Sequence, residues 1–496
     1  MFDAFTLRSP LLGDLLLALY LLVWVVLAAY GIHRLHLVRL FRRRGKPAAP
    51  PALPDTDDAW PRVTVQLPVF NERYVVERLL EASASLDYPA DRLEIQLLDD
   101  STDETTEIAA AAVASLRARG VNVVHVRRSD RSGFKAGALQ AGLERASGEL
   151  LAVFDADFVP PPSFLRETVP YFRDERVGMV QSRWEHLNEA YSLLARAQAI
   201  SLDGHFVVEH AARMAGGAWF NFNGTAGVLR KACIVDAGGW QSDTLTEDLD
   251  LSYRAQLKGW RFVFAPHVAC PAELPVEMNA FKAQQHRWVK GSIQVARKLL
   301  PIIWRSTAPP AVKLEATFHL TYNVAYVALL LLALLVYPVV LERYESRSLV
   351  FTVADTLLFL TATLSTLLYF GVAQQALRGG WTRRLHYLPF VMSLGIGLAV
   401  NNTRAVLGGL FGGRGVFERT PKFRIASRRD SWRRKRYRAP VSGWALLEIS
   451  LGLYFAWAMV SLFHAERFAS IPFFLLYLFG FLYVGVLSVA HAASRR

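Results

Sequence analysis

The stretch Leu151-Ala152-Val153-Phe154-Asp155-Ala156-Asp157-Phe158-Val159 decides how we interpret this chain. Four apolar residues run directly into two aspartates, which predicts a buried strand with Asp-x-Asp at its carboxyl end. Ligands of open α/β sheets bind at that edge. Carboxylate oxygens suit hard divalent cations such as Mg²⁺ or Mn²⁺, which in turn bind phosphates. For this motif taken alone, an exposed acidic turn is the alternative.

Short apolar strands alternate with amphipathic helices on both sides of this stretch, from residue 62 to about residue 300. The predicted strands are residues 63–70, 93–101, 121–128, 150–158 and 177–184. The predicted helices are residues 72–86, 103–119 and 135–146. This alternation predicts a largely parallel sheet with helices on its faces.

The composition indicates a membrane protein with a sizeable soluble domain. Of the 496 residues, 52% are hydrophobic, and the net charge is +13. The basic residues cluster beside apolar segments, which is typical of the cytoplasmic face of a membrane protein, so we do not expect nucleic-acid binding. The two cysteines, Cys233 and Cys270, give neither a metal-ligand spacing nor a disulfide framework.

Five apolar segments are long enough to span a bilayer, namely residues 15–32, 324–341, 350–373, 441–464 and 471–491. Basic residues follow the first segment, so the positive-inside rule places the alternating region in the cytoplasm. Residues 387–411 are also apolar, but a span there would put the basic stretch 422–438 outside. The segment also carries Asn401, Asn402 and Arg404, which are costly in hydrocarbon. We therefore predict an interfacial or re-entrant segment, with a sixth span as the alternative.

These patterns divide the chain into six parts. We predict an anchor over residues 1–33, a basic and Pro-rich linker over 34–61, and a catalytic domain over 62–300. A transmembrane pair over 301–376, an interfacial segment with a basic loop over 377–440, and a second transmembrane pair over 441–496 follow.

Polar side chains close the first two predicted strands. Pro68, Phe70 and Glu72 lie in a strand-to-helix turn that can hold a nucleotide base or ribose. Asp99 and Asp100 close the second strand and can accept hydrogen bonds from a base or a ribose. A helix cap is the alternative interpretation of the second motif.

Charged residues open two of the later helices. Lys135 opens a helix whose N-terminus can bind an anion, so we predict a contact with a diphosphate, with an exposed lysine as the alternative. Glu247 and Asp248 precede another helix, where a carboxylate can accept the proton of an attacking hydroxyl. Acidic residues favoured by the helix dipole are the alternative there.

Two later segments carry further candidate ligands. Arg287 can pair with phosphate, and Trp288 offers a flat face on which a sugar ring can stack. The alternative is an amphipathic helix lying on the membrane, and the two interpretations are compatible. Thr420 and Lys422 lie in the basic loop, which could close over a nucleotide diphosphate.

Taken in order, eight motifs resemble the family 2 inverting glycosyltransferases with the GT-A fold. Within them they resemble the cellulose synthase-like A and C group, the mannan or glucomannan and xyloglucan-backbone synthases. The matching stretches are residues 66–72, 96–103, 135–139, 154–158, 180–184, 222–227, 247–251 and 284–288. The resemblance implies a Rossmann-like α/β catalytic domain in an α-helical membrane protein.

The resemblance also implies roles for the residues of these motifs. It implies that Asp248, with Glu247 beside it, is the general base, and that Asp155 and Asp157 hold the Mg²⁺ or Mn²⁺. The implied nucleotide-sugar ligands, together with those predicted above, are Pro68, Phe70, Glu72, Asp99, Asp100, Lys135, Asp155, Gln284, Arg287 and Trp288. Trp288 and Trp184 are the predicted acceptor ligands.

The basic loop resembles the F-x-V-T-x-K gating loop of bacterial cellulose synthase through Phe417, Thr420 and Lys422. Arg419 stands where that pattern has Val, which is a departure from the family. Because only a short stretch follows the last predicted span, we do not expect activation by cyclic di-GMP.

We therefore predict a processive synthase that transfers a hexose from UDP-glucose or GDP-mannose to a growing β-(1→4) glycan. Abundant Ala and Arg favour a bacterial cytoplasmic membrane, with a Golgi membrane as the eukaryotic equivalent, and a cytoplasmic catalytic domain. A single-transfer enzyme that glycosylates a lipid, of the ceramide type, is the alternative enzyme. A catalytically silent membrane scaffold is the alternative from another class, and the presence of both Asp-x-Asp and Thr246-Glu247-Asp248 argues against it.

Replacing Asp248 with Asn tests the proposed base. A positioned general base contributes about 10²–10⁴-fold to a rate, so Asp248→Asn should nearly abolish turnover and leave nucleotide binding intact. The measurement is kcat together with the Kd of the nucleotide. Unchanged turnover in this variant would remove Asp248 from the role.

Overall fold

We describe the chain from a computed structural model, which covers residues 10–44, 56, 60–346, 349–413, 415, 418–433, 435–437 and 443–493. Seven strands of these residues form one mixed sheet. The strands are β1 (Val63–Val69), β2 (Leu93–Asp99), β3 (Val123–Arg127), β4 (Leu150–Val153), β5 (Val177–His186), β6 (Gly227–Arg230) and β7 (Arg261–Ala272).

The strand order is β3-β2-β1-β4-β6-β5-β7. The first four strands in this order are parallel, β5 pairs with β7 in parallel, and β6 runs antiparallel between β4 and β5. The prediction of a largely parallel sheet is therefore confirmed. Because the chain moves from β1 outward to β3 and returns to β4 on the other side of β1, the topological switch point lies between β1 and β4. Ligands of such sheets bind there.

The sequence prediction was incomplete for three strands. It missed β6, which has only four residues, and β7, whose pattern is interrupted by Pro266 and Pro271. The predicted strand 150–158 is also too long, because β4 ends at Val153 and the chain then turns, with a single bridge from Phe158 to Ala272. That turn frees Asp155 and Asp157 from the sheet.

Helices cover both faces of the sheet and form the membrane part. Those of the sheet region are α2 (Val76–Ala84), α3 (Thr105–Ala118), α4 (Phe134–Arg145), α5 (Phe164–Thr168), α6 (Leu193–Asp203), α7 (Ala211–Gly216), α8 (Lys231–Asp236), α9 (Glu247–Leu257) and α10 (Met278–Arg305). The others are α1 (Pro10–Arg44), α11 (Pro310–Thr321), α12 (Ala325–Ser346), α13 (Leu349–Leu377), α14 (Leu388–Gly397), α15 (Ala399–Phe411), α16 (Ala445–His464) and α17 (Ile471–Ala493). A π-helix, Gly204–His210, joins α6 to α7.

The sheet buries apolar side chains on both faces, as the alternation of period two requires. Val65 and Leu67 of β1 are fully buried in one core layer, which α2 and α3 cover. Leu151 and Val153 of β4 point into the opposite layer, which contains Leu139 of α4. The two apolar layers therefore hold the sheet in place, and this fixes the positions of the carboxyl ends of its strands.

Five helical segments of the described chain are long and apolar enough to cross a membrane. They are Gly13–Arg43, Pro310–Leu341, Thr352–Leu377, Ala445–His464 and Phe468–Ala493. Each contains most of a predicted span. The pair α14 and α15 is bent by 47° and would be a sixth span only if counted as one. The polar side chain of Asn401 in α15 faces protein, since it donates to the backbone carbonyl of Lys282 at 3.0 Å.

Helix α10 joins the sheet region to the membrane helices. Lys282 in its second turn forms a buried ion pair with Glu448 of α16, with Nζ and Oε1 2.7 Å apart. Because neither side chain is more than 4% exposed, breaking this pair would leave a charge buried without its partner. The pair therefore fixes α10 against the C-terminal membrane helices.

Candidate active site

One cleft lies outside the carboxyl ends of β1, β2 and β4, at the switch point of the sheet, and its empty space is about 1330 Å³. Helix α9 and helix α10 close its sides, and a segment after α15 crosses its mouth. Most of the predicted site residues line this cleft, namely Pro68, Phe70, Glu72, Asp100, Lys135, Asp155, Asp157, Trp184, Glu247, Asp248, Gln284, Arg287, Trp288, Thr420 and Lys422. Phe417 lies outside the described residues.

The two aspartates after β4 each contact a lysine. The Lys135 Nζ lies 2.6 Å from Asp155 Oδ1, and the Lys422 Nζ lies 2.8 Å from Asp157 Oδ1. Burial would raise the pKa of Asp155, but Lys135 and Lys422 outweigh it and lower the pKa. Thr225 accepts a hydrogen bond from the Asp155 backbone N–H at 2.8 Å, which fixes the turn. Asp155 is therefore held ionised at the floor of the cleft.

Two adjacent carboxylates open α9 beside the same lysine. Glu247 Oε1 lies 3.9 Å from Lys135 Nζ, and only 7% of Glu247 is exposed. Burial raises the pKa of Asp248 to about 7, the charge of Glu247 adds to the rise, and Lys135 opposes it. The Leu249 backbone N–H donates to Asp248 Oδ1 at 2.8 Å, which leaves Oδ2 available to a ligand in the cleft. A carboxyl group that titrates near neutral pH suits a general base.

Lys135 reaches this position from the first turn of α4. The helix begins after Gly133, which adopts a left-handed conformation with φ of 70°. The Lys135 Nζ also donates to the Gly224 carbonyl at 3.0 Å. Burial lowers the pKa of Lys135, but Asp155 and Glu247 more than compensate and raise it, so the ammonium stays charged. Lys135 thus bridges the turn after β4, the start of α9 and the loop before β6.

At the other end of the cleft, Asp100 forms a two-point ion pair with Arg128, whose Nε lies 2.9 Å from Asp100 Oδ1. Asp99 does not line the cleft, contrary to expectation. Its carboxylate is fully buried and bonds to His125 Nε2 at 3.0 Å. Burial would raise the pKa of Asp99, but hydrogen bonds from His125 and Ser101 lower it to about 2. Adjacent residues of a strand point to opposite faces, so Asp99 points away from the cleft that Asp100 lines. Through His125 and Ser101, Asp99 stabilises the end of β2 instead.

Residues 419–422 line the mouth of the cleft. They belong to a segment whose described residues are 418–433 and 435–437, which we call the strap. Its Lys422 lies between Asp157 and Glu72, 3.4 Å from Glu72 Oε1, and its Arg419 lies 3.2 Å from Glu72 Oε2. Burial raises the pKa of Glu72 to about 6, although Lys422 and Arg419 oppose the rise. Arg419, the residue that departs from the gating-loop pattern, is thus a second contact of the strap with the cleft.

Helix α10 presents Gln284, Arg287 and Trp288 to the cleft, because residues three and four positions apart share one helix face. Arg287 donates to the Glu418 carbonyl at 2.6 Å, which ties α10 to the strap. The Trp288 ring lies next to Trp184 of β5, with ring centroids 6.5 Å apart and planes at 54°. The two indoles form an aromatic wall of the cleft.

Asp155 and Asp157 fit a divalent cation that is shared with a bound nucleotide. Magnesium usually binds through one or two carboxylates plus substrate phosphates, and both aspartates reach the cleft. The described residues contain no group of three or more His, Cys, Asp or Glu that could hold a metal by itself.

Sequence reasoning missed several polar cleft residues, among them Arg131, Asn223 and Glu273. Arg131 lies over the Phe70 ring, with its guanidinium carbon 3.4 Å from the centroid. Asn223 and Glu273 also line the cleft. Asn223 was quoted as part of a family motif but given no role. Arg131 lies only four residues before Lys135, and this proximity could have indicated that Arg131 also reaches the cleft.

The sheet region of the chain is similar in sequence to known proteins. Residues 61–291 match the model of the family described as Glycosyltransferase like family 2. Glucomannan 4-beta-mannosyltransferase 1 of Oryza sativa subsp. japonica is 41% identical over 281 residues, 55% of this chain and 53% of the relative. Glucomannan 4-beta-mannosyltransferase 2 of Arabidopsis thaliana is 42% identical over 252 residues, 50% of this chain and 47% of the relative. The chain spans about half the length of the curated relatives that it matches.

Among solved structures, the fold is similar to that of the mannosyltransferase PcManGT from Pyrobaculum calidifontis, solved in complex with GDP-Man and Mn²⁺. The TM-score is 0.55 at 22% identity, and the match covers 79% of this chain and 99% of that one. This similarity concerns the fold. The sheet region therefore has a GT-A-like fold, and its residues 61–291 are similar to the family 2 glycosyltransferases.

Proposed function

We propose that this protein is a membrane-embedded inverting glycosyltransferase that transfers mannose from GDP-mannose to a growing β-(1→4)-linked glycan. The observation that carries the proposal is the pair Glu247 and Asp248, which shares Lys135 with Asp155 in one cleft. A base, an anion-binding cation and a metal-binding carboxylate thus meet where a sugar nucleotide would bind.

The choice of donor rests on the relatives. Those quoted above carry the name glucomannan 4-beta-mannosyltransferase, and the similar solved structure was determined with GDP-Man and Mn²⁺. UDP-glucose, the other donor predicted from the sequence, shares the diphosphate and metal contacts. We therefore favour GDP-mannose as the donor and test UDP-glucose as the alternative.

Asp248 is the general base in the proposed reaction. It accepts the proton of the acceptor 4-hydroxyl while that oxygen attacks the anomeric carbon of the donor. The bond between this carbon and the diphosphate oxygen breaks on the opposite side, so the α-linked donor gives a β-linked product. A carboxylate with a pKa near 7 removes a proton more effectively than one with the usual pKa near 4.

The leaving diphosphate carries negative charge away from the sugar, and cations on three elements surround its expected position. Lys135 on α4, Arg287 on α10 and Lys422 on the strap line the cleft. Preorganised cations of this kind stabilise the charge that develops on a leaving group. A divalent cation bound at Asp155 and Asp157 would supply further positive charge at the diphosphate.

The aromatic wall provides the acceptor side. Trp288 and Trp184 offer faces on which successive sugar rings of an acceptor can stack. Because α10 also packs on the membrane helices through Lys282, the acceptor end of the cleft lies next to the membrane part. Two indole faces for successive sugar rings favour a processive synthase over an enzyme that makes one transfer to a lipid.

We keep the membrane organisation that the sequence predicts as part of this proposal. The basic residues beside the apolar segments favour a cytoplasmic catalytic domain, with a bacterial cytoplasmic membrane as the proposed location. The partners are then the sugar nucleotide, the glycan acceptor and the lipid bilayer.

Gly224 provides space that Asp248 requires. Its φ of +79° is unfavourable for other residues, and a Cβ atom built there would lie 2.7 Å from Asp248 Oδ2. Gly217 offers a matched comparison, because its φ is +70° but a Cβ there has no atom within 4 Å. An alanine at either position would strain the backbone, but only an alanine at Gly224 would also contact Asp248.

A donor assay tests the proposed function. The purified protein in nanodiscs with Mn²⁺ or Mg²⁺ receives radiolabelled GDP-mannose or UDP-glucose, and the product is analysed for size and for digestion by β-(1→4)-mannanase or glucanase. We expect a long, mannanase-sensitive polymer from GDP-mannose. Label confined to a lipid fraction would contradict processive synthesis, and no transfer from either donor would contradict the enzyme.

Substituting the two glycines tests the position of Asp248. Each alanine should cost about 1–2 kcal/mol of stability through the left-handed backbone, seen as a lower Tm. Gly224→Ala should in addition reduce kcat on the order of 10²-fold, because it displaces the base from the acceptor hydroxyl. Gly217→Ala should keep wild-type kcat. Equal kcat in both variants would show that Asp248 does not depend on this contact.

A further inference from the structure

The strap has two kinds of basic residues. Three of those that face the glycosyltransferase domain form ion pairs, since Arg419 and Lys422 contact Glu72 and Asp157, and Arg436 contacts Glu104 at 2.9 Å. Arg428, Arg429 and Arg433 are exposed and form no ion pair with any carboxylate of the described residues. Arg428 and Arg429 lie in a turn closed by the Asp430 N–H to the Ser427 carbonyl, and Arg433 lies in the next turn, closed by the Lys435 N–H to the Trp432 carbonyl. We call this group of three arginines the basic turn.

The basic turn lies at the ends of membrane helices. Trp432 packs against His491 in the last turn of α17, with ring centroids 5.1 Å apart. Arg428 donates to the Ala190 carbonyl at 2.6 Å, and the preceding Glu189 binds Arg378, which follows the end of α13, at 2.9 Å. The turn therefore lies beside the C-terminal ends of two candidate spans.

The position of Arg433 agrees with this placement. Burial raises the pKa of Tyr191, and the charge of Arg433 opposes the rise, so the guanidinium lies near residue 191. The guanidinium groups of Arg428 and Arg433 thus lie near residues 190 and 191, and Arg429 follows Arg428 in the chain. Arginine binds phosphate through a planar fork of donors, and basic segments beside spans are attracted to anionic lipids.

We propose that the basic turn binds anionic phospholipid headgroups of the leaflet that faces the glycosyltransferase domain, and that this contact holds the strap over the cleft. The turn and the cleft residues belong to one short segment. Phe423, which follows Lys422, packs on Trp432 with ring centroids 6.2 Å apart, and its N–H donates to Glu273 at 2.9 Å. A lipid held at Arg433 therefore restrains Lys422 through two packed aromatic rings. The effect on nucleotide retention rests on the proposed function.

The test uses the full chain and a charge-matched control. The test variant is R428Q/R429Q/R433Q, and R428K/R429K/R433K keeps the charge. The control is R145Q/R173Q/K258Q, three exposed cations that precede β4, β5 and β7 at the sheet edge opposite the cleft. Native mass spectrometry measures the phosphatidylglycerol retained from detergent micelles that contain both phosphatidylcholine and phosphatidylglycerol.

We expect each arginine to contribute on the order of a fivefold increase in phosphatidylglycerol affinity. Retention should fall in the Gln variant, persist in the Lys variant and the control, and weaken at high salt. Equal retention in the Gln variant, or equal loss in the control, would overturn the proposal. Displacement of the lipid by soluble glycerol phosphate would also overturn it, since the site would then recognise a free phosphate.

A second measurement tests the effect on the strap. The Kd of GDP and of UDP is measured in nanodiscs of phosphatidylcholine with and without phosphatidylglycerol. Phosphatidylglycerol should lower the Kd of whichever nucleotide binds, and the Gln variant should lose this effect. An equal Kd in both bilayers would refute the restraint on the strap. If neither nucleotide binds, the proposed function fails, and lipid retention still decides the lipid site.

Discussion

The cleft depends on the attraction between the Lys135 ammonium group and the carboxylates around it. Three carboxylates, those of Asp155, Glu247 and Asp248, act on this single charge. Without it, the turn after β4 and the start of α9 would place like charges together in a partly buried site, where repulsion is stronger than in water. The same cation also gives the acids different properties. Asp155 at 2.6 Å is kept ionised, whereas burial prevails at Asp248. Environments that separate the pKa values of neighbouring acids assign them separate tasks.

The elements around Lys135 come from distant parts of the chain. The loop before β6 supplies the Gly224 carbonyl to Lys135 and the Thr225 hydroxyl to Asp155. The short antiparallel β6 therefore holds this loop between two parallel halves of the sheet. The space that Gly224 leaves for Asp248 makes the same loop part of the surroundings of the proposed general base.

The sequence predicted the parts of the fold that depend on local patterns. Strands β1 to β5 and helices α2 to α4 follow from apolar periodicity, and the Asp-x-Asp turn follows from the end of one strand. It did not predict β6, whose four residues carry too little pattern. Nor did it predict which lysine contacts which aspartate, because Lys422 and Asp157 are brought together by the whole fold. Asp99 shows the same limit, since one position along the strand decides whether a carboxylate faces the cleft or the core.

The strap and α10 connect the cleft to the membrane part. Arg287 binds the strap, and Lys282, five residues earlier on α10, binds Glu448 of α16. The strap in turn reaches α17 through Trp432. Two elements that line the cleft are therefore anchored on the C-terminal pair of candidate spans, which gives the membrane helices a direct influence on the shape of the site.

The central claim is that Asp248 is a base whose pKa is raised by burial and by the charge of Glu247. The most direct test is the pH dependence of kcat/KM, which reports ionisations of the free enzyme. A base acts when deprotonated, so activity should fall as the pH drops through about 7. Glu247→Gln removes one cause of the raised pKa, and the acidic limb should move to lower pH. A limb that stays in place in this variant, or the absence of a limb near neutral pH in the wild type, would contradict the account.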